Sequence, residues 1–329
     1  MQKSLPGSGL GYFRVALHSI ISAVFLTGGL SGSICQAATR TPADAAVGTL
    51  GTDWGSSSRH ARQRAEAALP LEKMTAADRR AIETSLRSTT LYRRLPVELF
   101  SCDGDLLSFG LEKPETIVDI WRLLGISRLS LDPVGPEQWR LADGYGTVGL
   151  LRLAYHDRRP DGGMLVFHGR GAYTGPLSPK NLTGNCVLMV RYREAEPMTD
   201  GRQRQAVQID AFLDMDGIGL EIVTRTLQPL IARSAAANLH EICLFMASLS
   251  DASMNNPEGV ATLAGRLQHT TAADRQTLAS IARNAAQRQH RQQVASPAEP
   301  AENTDPDRLT VDLAARWLPS DELNQVQRR

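Results

Sequence analysis

From residue 125 to residue 215, about 90 positions, apolar side chains recur at every second place, and short turn-forming clusters are all that interrupt them. A period of two sustained that long leaves a β-sheet as the structure such a chain can build. The alternation divides into strands over 126–132, 138–143, 147–156, 163–173, 183–193 and 204–215. The connections are Asp132-Pro-Val-Gly135, Asp143-Gly-Tyr-Gly146, Arg159-Pro-Asp-Gly-Gly163, Gly175-Pro176 and Pro197-Met-Thr-Asp-Gly201. None is long enough to cross over a sheet, so the strands pair as an antiparallel meander.

Parity then separates two faces. Leu151, Leu153 and Tyr155 alternate with Arg152 and His156, and Leu165, Phe167, Gly169, Gly171 and Tyr173 alternate with His168 and Arg170. Leu188, Val190 and Tyr192 alternate with Arg191 and Arg193, while Ile209, Ala211 and Leu213 alternate with Gln208, Asp210 and Asp214. One face reads apolar and the other charged and solvated, so the sheet has one side to cover.

The cover comes next in the chain. Residues 218–249 carry apolar side chains at helical spacing, among them Leu230 and Ile231, then Leu239, Ile242 and Met246. The stripe changes face near Pro229, where a helix-interior proline loses a hydrogen bond and predicts a kink. Before the meander, 96–101 alternates as a further strand, followed by two short helices over 103–111 and 114–124, the second with Ile117, Ile120, Trp121 and Leu124 on its buried stripe. The fold class is therefore α+β, an antiparallel meander sheet of about seven strands wrapped on a long kinked C-terminal helix.

This order resembles the START-like, helix-grip superfamily of lipid-transfer domains, polyketide cyclases and hydrophobic-ligand carriers over residues 95–250, and is similar to an uncharacterised family of exported bacterial proteins. The resemblance implies an apolar small molecule or lipid held between sheet and long helix. The candidate cavity residues are the inner-parity set named above, from Leu151 to Leu213, with Leu230 and Ile231 on the helix.

The flanks divide as follows. Lys3 and Arg14, an apolar run over 15–30 and small residues around Ala37 and Ala38 have the order of a signal peptide over 1–38, hence export to the periplasm, cell envelope or exterior with a mature start near Ala38 or Thr39. Ala, Ser, Gly and Arg dominate 39–70, read as a disordered linker. An N-terminal helix in 71–94 opens on Thr75-Ala-Ala-Asp78. A helical extension occupies 251–287, with Asn256-Pro257 and Thr271-Ala-Ala-Asp274 as helix starts, and 288–329 reads as a disordered tail with a short amphipathic segment holding Val311, Ala314 and Trp317.

The formal charge of +1 argues against nucleic acid as a partner, and no apolar run after the leader is long enough to span a membrane. Cys102, Cys186 and Cys243 match no zinc spacing and read as buried thiols, so no cofactor or metal is called. Gly169 to Gly175 lacks the ending of a phosphate loop and reads as a glycine-kinked strand; Asp214-Met-Asp216-Gly217 lacks the ligand ladder of a calcium loop, and Asp216 reads as a helix cap. No serine elbow or paired carboxylates mark a catalyst. A non-catalytic binding protein is the first reading, a cell-envelope interaction module with a filled core the second, and a cyclase- or hydrolase-type enzyme the third.

Overall fold

The computed structural model describes residues 54–174, 182–198, 202–216, 220–295, 309–318 and 322–323, with the side chains of 216, 220–231 and 292–295 excepted. The segment read as a leader, the expected Gly175-Pro176 turn, part of the expected turn at 197–201, the expected cap at Asp216 and the side chains of Leu230 and Ile231 lie outside that description. The chain begins with α1 (Arg59–Ala68), a 3-10 turn (Leu71–Lys73), α2 (Ala76–Arg87), β1 (Leu91–Arg94) and β2 (Glu98–Ser101). Then come α3 (Gly104–Glu112), α4 (Pro114–Leu124), β3 (Ser130–Gly135), β4 (Gln138–Ala142), β5 (Thr147–Arg159), β6 (Gly162–Tyr173), β7 (Leu182–Ala195) and β8 (Arg204–Asp216). Four helices close it: α5 (Leu220–Asn255), α6 (Pro257–Gly265), α7 (Ala272–Ala295) and α8 (Leu309–Ala314).

Side-chain caps place many of the helix starts. Thr75 accepts the Asp78 N–H at 3.1 Å and donates its hydroxyl to the Asp78 carboxylate at 2.6 Å, and Thr271 with Asp274 repeats the pair at the same distances. Asp103 accepts from Asp105 and Leu106 at the head of α3, Asn256 accepts from Gly259 at 2.9 Å, and Gly125 at φ +77° ends α4 in the left-handed region.

The sheet is antiparallel, in the order β1-β8-β7-β6-β5-β4-β3, with β2 also on β8. β3 to β8 follow one another as a meander, and the N-terminal edge lies beside the last strand. That edge is one strand in two pieces: Leu91–Arg94 faces Asp210–Leu213, Glu98–Ser101 faces Arg204–Val207, and between them the Leu95 N–H still donates to the Ile209 carbonyl at 2.8 Å. Pro96 has no N–H to continue the ladder, so the pairing breaks there. β1 falls where the sequence reading placed the end of the N-terminal helical segment.

Both faces of the sheet are covered, which corrects the one-sided reading. The inner face packs Leu153, Leu165, Ala211 and Leu213 with Leu106 of α3, Ile120 of α4 and Leu239 of α5. On the outer face Val166, Val187, Met189 and Phe212 form a second core with Tyr92 and with Ala65, Met74 and Ile82 from α1, α2 and the turn between them. The signal was present: Leu165-Val-Phe167 and Val187-Leu-Met-Val190 are apolar at consecutive positions, the mark of strands buried on both sides. α1 itself arises from the segment read as linker, because Ser58 caps it and alanines at 61 and 65 give it a small apolar stripe.

A bulge redirects β5. Leu153 pairs Phe167 but Tyr155 pairs Val166, so Ala154 is extra and the parity reverses beyond it. Tyr155 therefore joins the outer core, and His156 turns to the inner side, 3.5 Å from Glu112 of α3, while His168 stays outside. The two histidines do not share a face.

The C-terminal helices contribute to the inner core. α5 runs through Pro229 and through the boundary drawn at 250, and Leu263, Leu278, Leu309 and Leu313 join the same apolar cluster. α7 continues to Ala295, eight residues into the segment read as tail. Its Arg288 pairs with Asp103 and lies 3.4 Å from Asp105, fastening α7 to α3. The amphipathic segment docks through Leu309, Leu313 and Ala314, with Trp317 against Phe245 at 5.6 Å and its indole N–H on Glu241 at 3.0 Å.

Candidate ligand cavity

Between the inner face, α3, α4 and α5 lies a cavity of about 190 Å3. The sheet contributes Leu131, Leu151, Phe167, Leu188, Val190 and Ile209, together with Phe100 and Val207. The two short helices contribute Leu107, Leu111, Pro114, Ile117, Val118 and Trp121, with Gly110 between them; α5 closes the other side with Leu239, Ile242, Cys243 and Met246. An apolar void of about 150 Å3 is enough to stay dry and admit benzene, so this one has room for a somewhat larger apolar molecule.

Of the residues expected to line a cavity, Leu151, Phe167, Leu188, Val190 and Ile209 do. Leu153, Leu165, Tyr192, Ala211 and Leu213 are buried in the same core without reaching the wall, and Tyr173 is buried at the end of β6. Tyr155 is on the opposite face. Gly169 does not open space: a Cβ there would stand 2.7 Å from the Cys186 sulfur, which already fills the gap, and Gly171 sits in a glycine row with Gly149 and Gly184 across β5, β6 and β7. The α3–α4 wall was not expected. Ile117 and Trp121 were legible as a buried stripe, but periodicity tells which side of a helix is buried and not whether what it faces is a neighbour or a void.

Polar chemistry near the wall is sparse. Cys243 is buried, and burial first, then Glu98 and Cys102, pushes its thiol well above the ordinary range, so it stays protonated and a poor nucleophile. One turn earlier on α5, His240 Nδ1 lies 3.0 Å from Glu98 Oε2, a buried pair fastening α5 to β2. Glu115, its carboxyl raised chiefly by burial, accepts the Trp139 indole N–H at 2.8 Å. Cys102, Cys186 and Cys243 are free and buried, and among the described residues no group of three His, Cys, Asp or Glu side chains stands together as a metal site.

A second polar cluster lies under α2 on the outer face. Ser85 Oγ is 3.3 Å from His168 Nε2, and Asp78 pairs with Arg152 at 2.8 Å. These contacts tie α2 to the outer face of the sheet. Burial lowers the His168 pKa, opposed by Asp78 and assisted by Arg152. As pH falls through about 6.5 the unfolded chain takes up this proton and the folded one does not, so stability is full above that value and declines below it. Urea midpoints of His168→Gln should accordingly fall less than those of the parent between pH 7.5 and pH 5.5; an equal fall would remove His168 from the account.

No protein-family model matches the chain, and no curated protein matches it. Among the described residues no helix is long and apolar enough to cross a membrane.

Proposed function

We propose that this chain binds an uncomplicated apolar small molecule, non-covalently, in the manner of the helix-grip carriers its element order resembles. The observation behind the reading is the cavity of about 190 Å3, walled by apolar side chains from the sheet and three helices. The strand order supports it too: an N-terminal edge beside the last strand of a meander, two short helices between, and a long helix packed across the inner face. A bend of that helix at Pro229, as the changing stripe predicts, belongs to the same proposal. None of the described lining residues offers a base or an activated nucleophile, which favours carriage over catalysis.

Titration of the full chain with naphthalene, a fluorescent apolar molecule somewhat larger than benzene, tests this. Val190→Phe, which grows into the void from a central strand, should weaken binding about tenfold or more, a loss of about 1.4 kcal/mol, with the thermal midpoint held or raised. Equal binding by the variant would mean that the probe sits elsewhere. No binding by the parent chain would favour the interaction module, for which the exposed Val148 and Leu150 on β5, at 53% and 57%, are the supporting feature.

A further inference from the structure

Among the described residues of the cavity wall, one side chain carries a nitrogen. Trp121 lines the void, is 5% exposed, and its Nε1 is buried without a hydrogen-bond partner. The contrast with the other packed tryptophans is direct: Trp139 donates to Glu115 at 2.8 Å and Trp317 to Glu241 at 3.0 Å. An indole N–H donates and never accepts, and a buried donor left unmatched is a standing cost to the folded state. Packing holds the ring from one side, edge-on to Phe245 at 5.8 Å and 80°. The N–H is itself covered, so receiving an acceptor from the void requires the ring to tilt, a movement that no hydrogen bond of its own opposes.

Charge narrows the class further. The described residues of the wall include no lysine, arginine or histidine. A carboxylate entering it would lose its water without gaining a cation, which an apolar site strongly disfavours. Glu98, whose carboxylate helps to hold the Cys243 thiol protonated, is already taken up by His240 at 3.0 Å. The thiol of Cys243 is likewise a donor in its protonated form.

We propose that the ligand is neutral, largely hydrocarbon, and carries one hydrogen-bond acceptor such as a ketone, aldehyde or ester oxygen, received by the Trp121 indole N–H. This rests on the carrier reading above and specifies its ligand. A fatty-acid anion is excluded by the same wall that admits its neutral relatives.

The test uses three probes of one length, 2-octanone, n-octane and octanoate, against the full chain with 15N-labelled tryptophan. The ketone should bind about tenfold more tightly than the alkane, the scale expected when a buried donor gains a partner. It should also move the Trp121 indole resonance downfield while the alkane does not, and octanoate should bind more weakly than the ketone. Trp121→Phe keeps a ring and removes the N–H, so it should bring the ketone-to-alkane ratio close to one with alkane binding little changed. Should that variant fail to fold, the assigned spectrum of the parent chain decides by itself. Equal affinities for ketone and alkane, or an unmoved resonance, would overturn the role of Trp121; preference for octanoate would overturn neutrality. Failure of all three probes would take down the carrier reading itself, a result distinct from either.

Discussion

Asp210→Ala lowers the free energy of unfolding by about 3–5 kcal/mol, the usual cost of removing one partner from a buried ionic cluster. Alternation had placed Asp210 on a wet face, where the same change would cost almost nothing. Instead it is fully buried beneath α1: Tyr92 donates to Oδ1 at 2.5 Å, Arg94 Nε to the same oxygen at 2.8 Å, and Arg191 to Oδ2. Burial first and then the carboxylate raise the Tyr92 phenol, so it stays a donor. Without the carboxylate, two guanidinium groups and a phenol lose their common acceptor next to the second core, although Arg191 keeps Gln208 at 3.0 Å and some access to water. Chemical denaturation at neutral pH is the measurement. A loss under about 1 kcal/mol, the range of an exposed pair, would mean that the cluster is solvated and the outer cover loose.

Ile209→Asp is expected to be as damaging, and Gln208→Asp nearly silent. Ile209 is 5% exposed and forms part of the cavity wall, so the new carboxylate enters a site whose described residues hold no cation and costs several kcal/mol or shifts to its neutral form. Gln208, one position earlier, already accepts from Arg191 at 3.0 Å, and a carboxylate there keeps a cationic partner. Denaturant midpoints of the two variants should therefore separate widely. If they coincide, the inner face has been drawn through the wrong residues.

These two substitutions flank the boundary between what was legible in the chain and what was not. Strands β4 to β8 start within a residue or so of the alternation because a strand's period is local: each residue's side is set by its neighbour's. Caps at Thr75, Asn256 and Thr271 were legible for the same reason, since donor and acceptor lie within three residues of each other. The limit of that logic is the bulge at Ala154. One inserted residue reverses every later assignment on β5, and nothing within the strand announces it; Tyr155 and His156 were therefore assigned to each other's faces.

The helices over the outer face failed for a different reason. α1 has low hydrophobicity overall, with Ala61 and Ala65 as its buried residues, and only the flat apolar surface of Val166, Val187, Met189 and Phe212 makes so weak a stripe worth burying. A helix of that kind is stabilised by what it packs on, which is some hundred residues away in the chain. The buried placement of Asp210 follows from the same cover.

The cavity stands furthest from the sequence. Leu151, Phe167, Leu188, Val190 and Ile209 could be put on the inner face by counting, because inside and outside are properties of a single strand. Whether that face meets side chains or empty space depends on how far α3, α4 and α5 stand from it, and thus on the sum of volumes from elements more than a hundred residues apart. The order of elements and the side each residue takes were written locally; the second cover, the reversed half of β5 and the void beside Trp121 were decided by packing, since volume and desolvation are shared among distant residues and belong to none of them alone.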